Sequence, residues 1–188
     1  MHQDNLYIAL IHYPVMNKKG QTIGSAITNI DLHDIARASI TFGVKGFYVV
    51  TPFEDQADLA GQIIEHWTKG VGGRLNPDRK NALELIRVKE SYDQAVAEIA
   101  SERGENVVSI ATSAKKTADT ITTTQLKVKL TDSASHMLVF GTAWGLTQDM
   151  IASCDYFLEP ILGHSDYNHL SVRSAVSIYL DRIVNSRS

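Results

Sequence analysis

The sequence predicts an α/β fold in which a mostly parallel sheet is covered by helices on both faces. Three observations predict it. Apolar runs of strand length recur along the chain, stretches with helical spacing of apolar residues fall between them, and no repeat, low-complexity tract or Pro/Ser-rich linker interrupts the alternation. At 188 residues, 44% hydrophobic and 21% charged, the chain is read as one domain, large enough to hold a core without disulfides or structural metal.

Residues 6–13 (LYIALIHY) are the first buried strand, closed by Pro14, and residues 17–24 (NKKGQTIG) are a polar loop. Asn29 or Asp31 can cap a helix carrying Leu32, Ile35, Ala36 and Ile40 on one face, with Gly43 as its left-handed stop. Residues 46–51 (GFYVVT) read as a second buried strand, and residues 57–68 as a helix with Ile63, Ile64 and Trp67 on one side. Residues 69–80 read as the loosest stretch of the chain. A short strand at 85–88, a helix at 91–103 stopped by Gly104 and a buried strand at 106–112 (NVVSIAT) follow. Short strands at 137–140 and 156–158 flank a helix at about 147–153, and the chain closes with a helix over 171–184.

Composition narrows function. Lys plus Arg number 18 against 21 Asp plus Glu, a net charge of −3, which argues against coating nucleic acid by bulk positive field but not against a local basic groove. Cys154 is the sole cysteine. No basic segment followed by a long apolar run opens the sequence, so neither a signal peptide nor a membrane span is expected and the protein is read as cytoplasmic. Phosphate-loop, dinucleotide-binding, nucleophile-elbow and C-x-x-C signatures are absent. His164, Asp166 and His169 share one loop, but no third well-spaced His or Cys joins them, so a polar loop is the reading and no metal is expected.

The carboxyl-terminal third is the informative stretch. Residues 137–146 (MLVFGTAWGL) run from a strand into Gly141 and Gly145, where the absence of Cβ allows a close approach. A ligand at that loop and a tight strand-to-helix turn with Trp144 packed beneath explain the motif equally well. Residues 156–161 (YFLEPI) place Glu159 and Pro160 just past a strand end, and residues 168–183 (NHLSVRSAVSIYLDRI) open an amphipathic helix at Ser171.

In this order, the three pieces resemble the cofactor-binding end of the SPOUT class of RNA methyltransferases. Residues 29–43 (NIDLHDIARASITFG) resemble the first motif of its SpoU branch through Asn29, Arg37, Ala38 and Gly43. The resemblance spans nearly the whole chain and is similar in particular to small stand-alone bacterial members with an FGT-x-WGL segment. It implies a deep trefoil knot at about residues 106–184, a topology that periodicity alone never predicts. It also implies a bent S-adenosylmethionine held largely by backbone groups of three loops, leaving S-adenosylhomocysteine as product. By that likeness the cofactor-binding residues are Ala111, Thr112 and Ser113 in the first loop, Phe140, Gly141, Thr142 and Gly145 in the second, and Leu158, Glu159, Pro160, Ile161, His169, Leu170 and Ser171 in the third.

Arg37, with Asn29, is the catalytic candidate that the resemblance implies. A guanidinium grips phosphate bidentately and stabilises developing negative charge. Without the motif, a helix-surface salt bridge to Asp34 or another acid is the simpler reading. The SpoU pattern has a glutamate in its second motif and an asparagine near the start of its third, where this chain has Ala143 and Ser171. Ribose 2′-O-methylation and base methylation, as in the guanine-N1 branch, therefore both stay open.

An RNA substrate, tRNA or rRNA, must meet positive charge. Residues 66–80 hold Lys69, Arg74, Arg79 and Lys80 against Asp78, and residues 113–130 hold Lys115, Lys116, Lys127 and Lys129 against Asp119. Both read as RNA-binding candidates or as ordinary solvated loops. A homodimer is expected from the class, with Val172, Val176 and Tyr179 of the last helix as candidate interface. The alternative function is a non-catalytic module of the same fold that binds S-adenosylmethionine or RNA. A small enzyme acting on a nucleotide-like metabolite is a third reading.

Overall fold

The computed structural model describes residues 5–115 and 119–185. Six strands, β1 (Leu6–Ile11), β4 (Gly46–Val50), β5 (Ile86–Lys89), β6 (Val107–Ala111), β7 (Ser135–Gly141) and β8 (Tyr156–Phe157), form one sheet in the order β5-β4-β1-β7-β6-β8. Every neighbouring pair is parallel. A parallel sheet needs both faces covered, and the strand sequences show it: β1 and β4 are buried at every position. Leu6, Ile8 and Leu10 face a core built with α1 (Asn29–Thr41), α4 (Pro77–Leu83), α6 (Thr123–Lys129) and α8 (Val172–Val184). Tyr7, Ala9 and Ile11 face the opposite core, closed by α5 (Tyr92–Arg103) and α7 (Gln148–Ala152). No helix among the described residues is long and apolar enough to cross a membrane.

Four expectations are corrected. The side chain that caps α1 belongs to Thr28, whose hydroxyl accepts from the Asp31 N–H, so Asn29 and Asp31 lie inside the first turn. Residues 17–24 are not wholly loop: β2 (Val15–Met16) and β3 (Thr22–Ile23) pair as an antiparallel hairpin. Residues 69–80 are not loose: after α2 (Glu54–Thr68) come α3 (Val71–Leu75) and α4. A Cβ on Gly72 would lie 2.7 Å from the Trp67 ring and one on Gly73 2.3 Å from the Trp67 carbonyl oxygen, so these glycines serve close helix packing. Finally, α6 forms within a threonine-rich stretch through a capping box between Thr122 and Gln125.

Candidate functional site

Because β6, β7 and β8 are parallel neighbours, the segments that follow them emerge together at one edge of the sheet. Hydrogen bonds tie these segments and the strand ends to each other. The Thr112 N–H donates to Val139 O at 3.0 Å, the Leu158 N–H to Ala111 O at 2.9 Å, and the Asn168 side chain to Ala114 O at 2.7 Å. All three sequence-predicted cofactor segments are thus brought to one place.

The second segment is bent sharply. Ala143 has φ +50 and Gly145 φ +101, backbone that side chains resist. A Cβ on Gly141 would sit 2.4 Å from the Leu146 nitrogen and 2.7 Å from the Gly145 carbonyl carbon, so only glycine closes this turn. The bend turns Trp144 outward, 56% exposed, which counts against the one of the two readings that packs it beneath the turn. The hairpin braces the bend: Met16 donates to Gly145 O at 2.9 Å and Trp144 donates to Met16 O at 3.0 Å.

Tyr179, on α8, holds the third segment. Its buried hydroxyl donates to Glu159 O at 2.7 Å, and burial pushes its pKa up to about 12, opposed by Arg182 and the Ile161 backbone. Val176 and Tyr179 are both packed inside this chain's own core, so they are corrected from dimer-interface candidates to interior residues. The Glu159 carboxylate accepts from the Thr123 N–H at 2.8 Å and its hydroxyl at 3.1 Å, anchoring the start of α6. Glu159 therefore supports the segment with groups already engaged. Leu158 and Pro160 are buried, whereas His169 and Leu170 are exposed and Ser171 caps α8 through the Ser174 N–H.

His12, which follows β1, belongs to none of the sequence motifs. It is 1% exposed, and its Nδ1 lies 3.1 Å from the Ser25 hydroxyl. Ser25 is hydrogen bonded to the Thr142 hydroxyl, and Thr142 donates to Ile11 O at 2.9 Å. The Ser25 hydroxyl also lies 3.4 Å from His12 O, and His12 Nε2 is buried without a hydrogen-bond partner among the described residues. Burial holds the His12 pKa below its ordinary value, opposed by the Ser25 backbone and by Asp31. The only sequence signal was a histidine ending a wholly apolar strand.

Arg37 and Asn29 do not converge. Arg37 is exposed and lines a cleft of about 560 Å³ between α1 and α8, with Asp34, Phe42, Arg173, Ser177 and Ile178. Asp34 is taken by Arg173, at 3.5 Å, and Arg173 also reaches Asp31 at 3.2 Å. Arg37 has no carboxylate partner among the described residues. Asn29 lines a second cleft of about 370 Å³ with Leu59, His66 and Trp67 of α2.

Of the predicted basic residues, Arg79 lies 4.5 Å over the Trp67 ring, beside the Asn29 cleft. Lys69 pairs with Glu65 and Lys80 with Glu84, at 3.0 and 3.8 Å. Arg74 and Lys115 are exposed, and Lys116 lies outside the described residues. Lys127 donates to Asn185 O and Lys129 to the Tyr156 hydroxyl, so both serve local structure. His164, Asp166 and His169 are exposed, and among the described residues no group of three or more His, Cys, Asp or Glu is placed to hold a metal.

The donor set at the three segments suits an uncharged, flat heterocycle better than an anion. Glycines and small residues stand here over the buried Phe140, Leu158 and Pro160, while the Glu159 carboxylate is engaged by Thr123 at the start of α6. S-adenosylmethionine, with an adenine to be read by main-chain groups, fits such a lining.

A family model for SAM-dependent RNA methyltransferases matches residues 5–185. A tRNA (guanine-N(1)-)-methyltransferase of Oleidesulfovibrio alaskensis is 43% identical over 180 residues, covering 96% of this chain and 42% of its own length. The chain thus spans less than half of that relative. An uncharacterized protein of Aquifex aeolicus is 36% identical over 97% of this chain and 90% of its own length. Among solved structures, a probable methylase family protein from Haemophilus influenzae superposes with a TM-score of 0.63 at 22% identity, over 96% of this chain and 65% of that one. The SpoU methyltransferase AviRb of Streptomyces viridochromogenes, in complex with AdoMet, does so at 0.54 and 15% identity, over 98% of this chain and 58% of that one.

Proposed function

The chain belongs to the family of SAM-dependent RNA methyltransferases, and from that membership we propose that it moves a methyl group from S-adenosylmethionine to a nucleotide of tRNA. The observation that carries the reading is the gathering of residues 111–113, 140–146 and 158–171 at the carboxyl edge of three adjacent parallel strands, tied by backbone bonds. Main-chain groups of these segments hold the adenosine part, Gly141 keeps the middle segment bent, and Tyr179 fixes the last one. The bound cofactor supplies a methyl already activated on a sulfonium, so the protein contributes positioning and charge stabilisation without metal.

Guanine N1 is the proposed acceptor, supported by the name of the O. alaskensis relative and by Ala143 and Ser171 standing where the ribose-methylating branch has glutamate and asparagine. With the cofactor bound, N1 would give its proton to water and take the methyl as the S–CH3 bond breaks, the electron pair of that bond staying on sulfur in S-adenosylhomocysteine. Arg37 is the cation assigned to the acceptor nucleotide, stabilising negative charge that spreads to guanine O6. A knotted path over about residues 106–184 and a cytoplasmic homodimer belong to the same reading. The dimer face is proposed at the α1–α8 cleft, which lets Arg37 serve the partner's site.

Purified protein, S-adenosylmethionine with a labelled methyl and bulk tRNA test the proposal, with calorimetry of the cofactor alone alongside. Label in 1-methylguanosine is the expected result. No cofactor binding at millimolar concentration defeats the assignment, and binding without transfer to any RNA establishes the non-catalytic module instead.

A further inference from the structure

Resting on the RNA-methyltransferase reading, we infer that Tyr13, Phe53 and the Lys18–Lys19 turn form the seat of an unpaired nucleotide of the RNA substrate. Tyr13 follows β1 and Phe53 follows β4, so the two rings stand at the carboxyl edge of adjacent strands. They meet edge to face, 5.7 Å between centroids at 75°, and remain 41% and 40% exposed. Such a pair leaves a ring face open for stacking, and every nucleobase has a π face to offer it.

The seat is built firmly. A Cβ on Gly24 would come within 2.2 Å of Phe53 Cε2, so the Phe53 ring packs directly on the Gly24 backbone. Two residues past Tyr13 the chain joins the cofactor edge: Val15 bridges to Leu146, and Met16 exchanges backbone bonds with Trp144 and Gly145. The stacking surface is therefore continuous with the segment proposed to hold the methyl donor.

Charge identifies the occupant. The β2–β3 turn is locked by Asn17, whose carboxamide oxygen accepts from the Lys19 and Gln21 N–H groups at 2.8 and 3.0 Å. It presents Lys18 and Lys19 exposed, with no carboxylate partner among the described residues. Two exposed cations on the hairpin into which Tyr13 leads, together with two open aromatic rings, match a nucleotide, with phosphate for the lysines and base for the rings. A protein partner docking through apolar contact would not call for the lysines.

The test measures binding of a single-stranded ten-nucleotide RNA, of its duplex and of bulk tRNA by fluorescence anisotropy, across salt concentrations. Tyr13→Leu and Phe53→Leu keep apolar bulk but remove the π face. Each should weaken single-strand binding about 10-fold, the loss of one base–aromatic stack, while Tyr13→Phe binds as the wild type does. Lys18→Gln with Lys19→Gln should reduce the salt slope of log K by about 1.4, two phosphate contacts on a single strand. Calorimetry should show unchanged S-adenosylmethionine affinity in all of them, which also certifies folding. If Phe53→Leu unfolds, exposed Tyr13→Leu carries the test alone. A wild type that binds RNA and transfers methyl, with Tyr13→Leu binding equally well, overturns the seat and spares the enzyme reading. A wild type that binds the cofactor but no RNA overturns both.

Discussion

At the scale of single residues, the site rests on side chains that fix backbone and not on free acids or bases. Tyr179 is the clearest case. Tyr179→Phe removes the bond to Glu159 O and should cost about 1 kcal/mol of stability and weaken S-adenosylmethionine binding, read by urea denaturation and calorimetry; unchanged affinity would remove Tyr179 from the site's support. His12, His33 and His136 all have pKa values held below the ordinary histidine value by burial. Each therefore binds a proton more readily when unfolded, so their contribution to stability is complete above about pH 6.5 and declines as pH falls below it. Denaturation midpoints should drop between pH 7.5 and 5.5, and His12→Phe should flatten that slope. None of this was visible in the motifs, since Tyr179 read as an interface residue and His12 as the end of a strand. A side-chain partner 20 residues away, as for Tyr179, or 13, as for His12 and Ser25, is a property of the fold.

At the scale of elements, the chain's punctuation was largely readable. Ser91 and Gly104 bracket α5 as expected, Gly104 with φ +70, and Ser171 opens α8. Where the reading failed, the local signal had two meanings. Gly70, Gly72 and Gly73 lower helix propensity and so suggest a loop, yet the last two are demanded by contact with Trp67. The capping box at Thr122 and Gln125 was present in the sequence but hidden among threonines. The same contrast separates two glycines by experiment. Gly141→Ala should destabilise by at least about 1–3 kcal/mol and abolish cofactor binding, because its Cβ meets backbone. Gly61→Ala, inside α2 with open space around it, should stabilise by roughly 0.5–1 kcal/mol. Equal thermal shifts for the two variants would refute this assignment.

At the scale of the whole molecule, a net charge of −3 coexists with local cationic features: the Lys18–Lys19 turn, Arg79 on Trp67 and the exposed Arg37. Periodicity gave the layered α/β architecture, and the spaced motifs led to the segments that gather at one sheet edge. The separation of Asn29 and Arg37 into two clefts had no trace in the sequence, because eight helix positions carry a side chain around the axis as well as along it. If Arg37 serves a partner's site, Arg37→Ala should keep cofactor affinity and lose methyl transfer at least about 100-fold, as removal of one positioned charge does. Mixing that variant with a cofactor-site variant such as Gly141→Ala should restore part of the activity through mixed dimers; no restoration would place Arg37 in its own subunit's site. The most direct measurement remains transfer of labelled methyl from S-adenosylmethionine to bulk tRNA by the purified chain, followed by nucleoside separation. Label in 1-methylguanosine with stoichiometric S-adenosylhomocysteine is the predicted result, and cofactor binding with no label in any RNA nucleoside would contradict it.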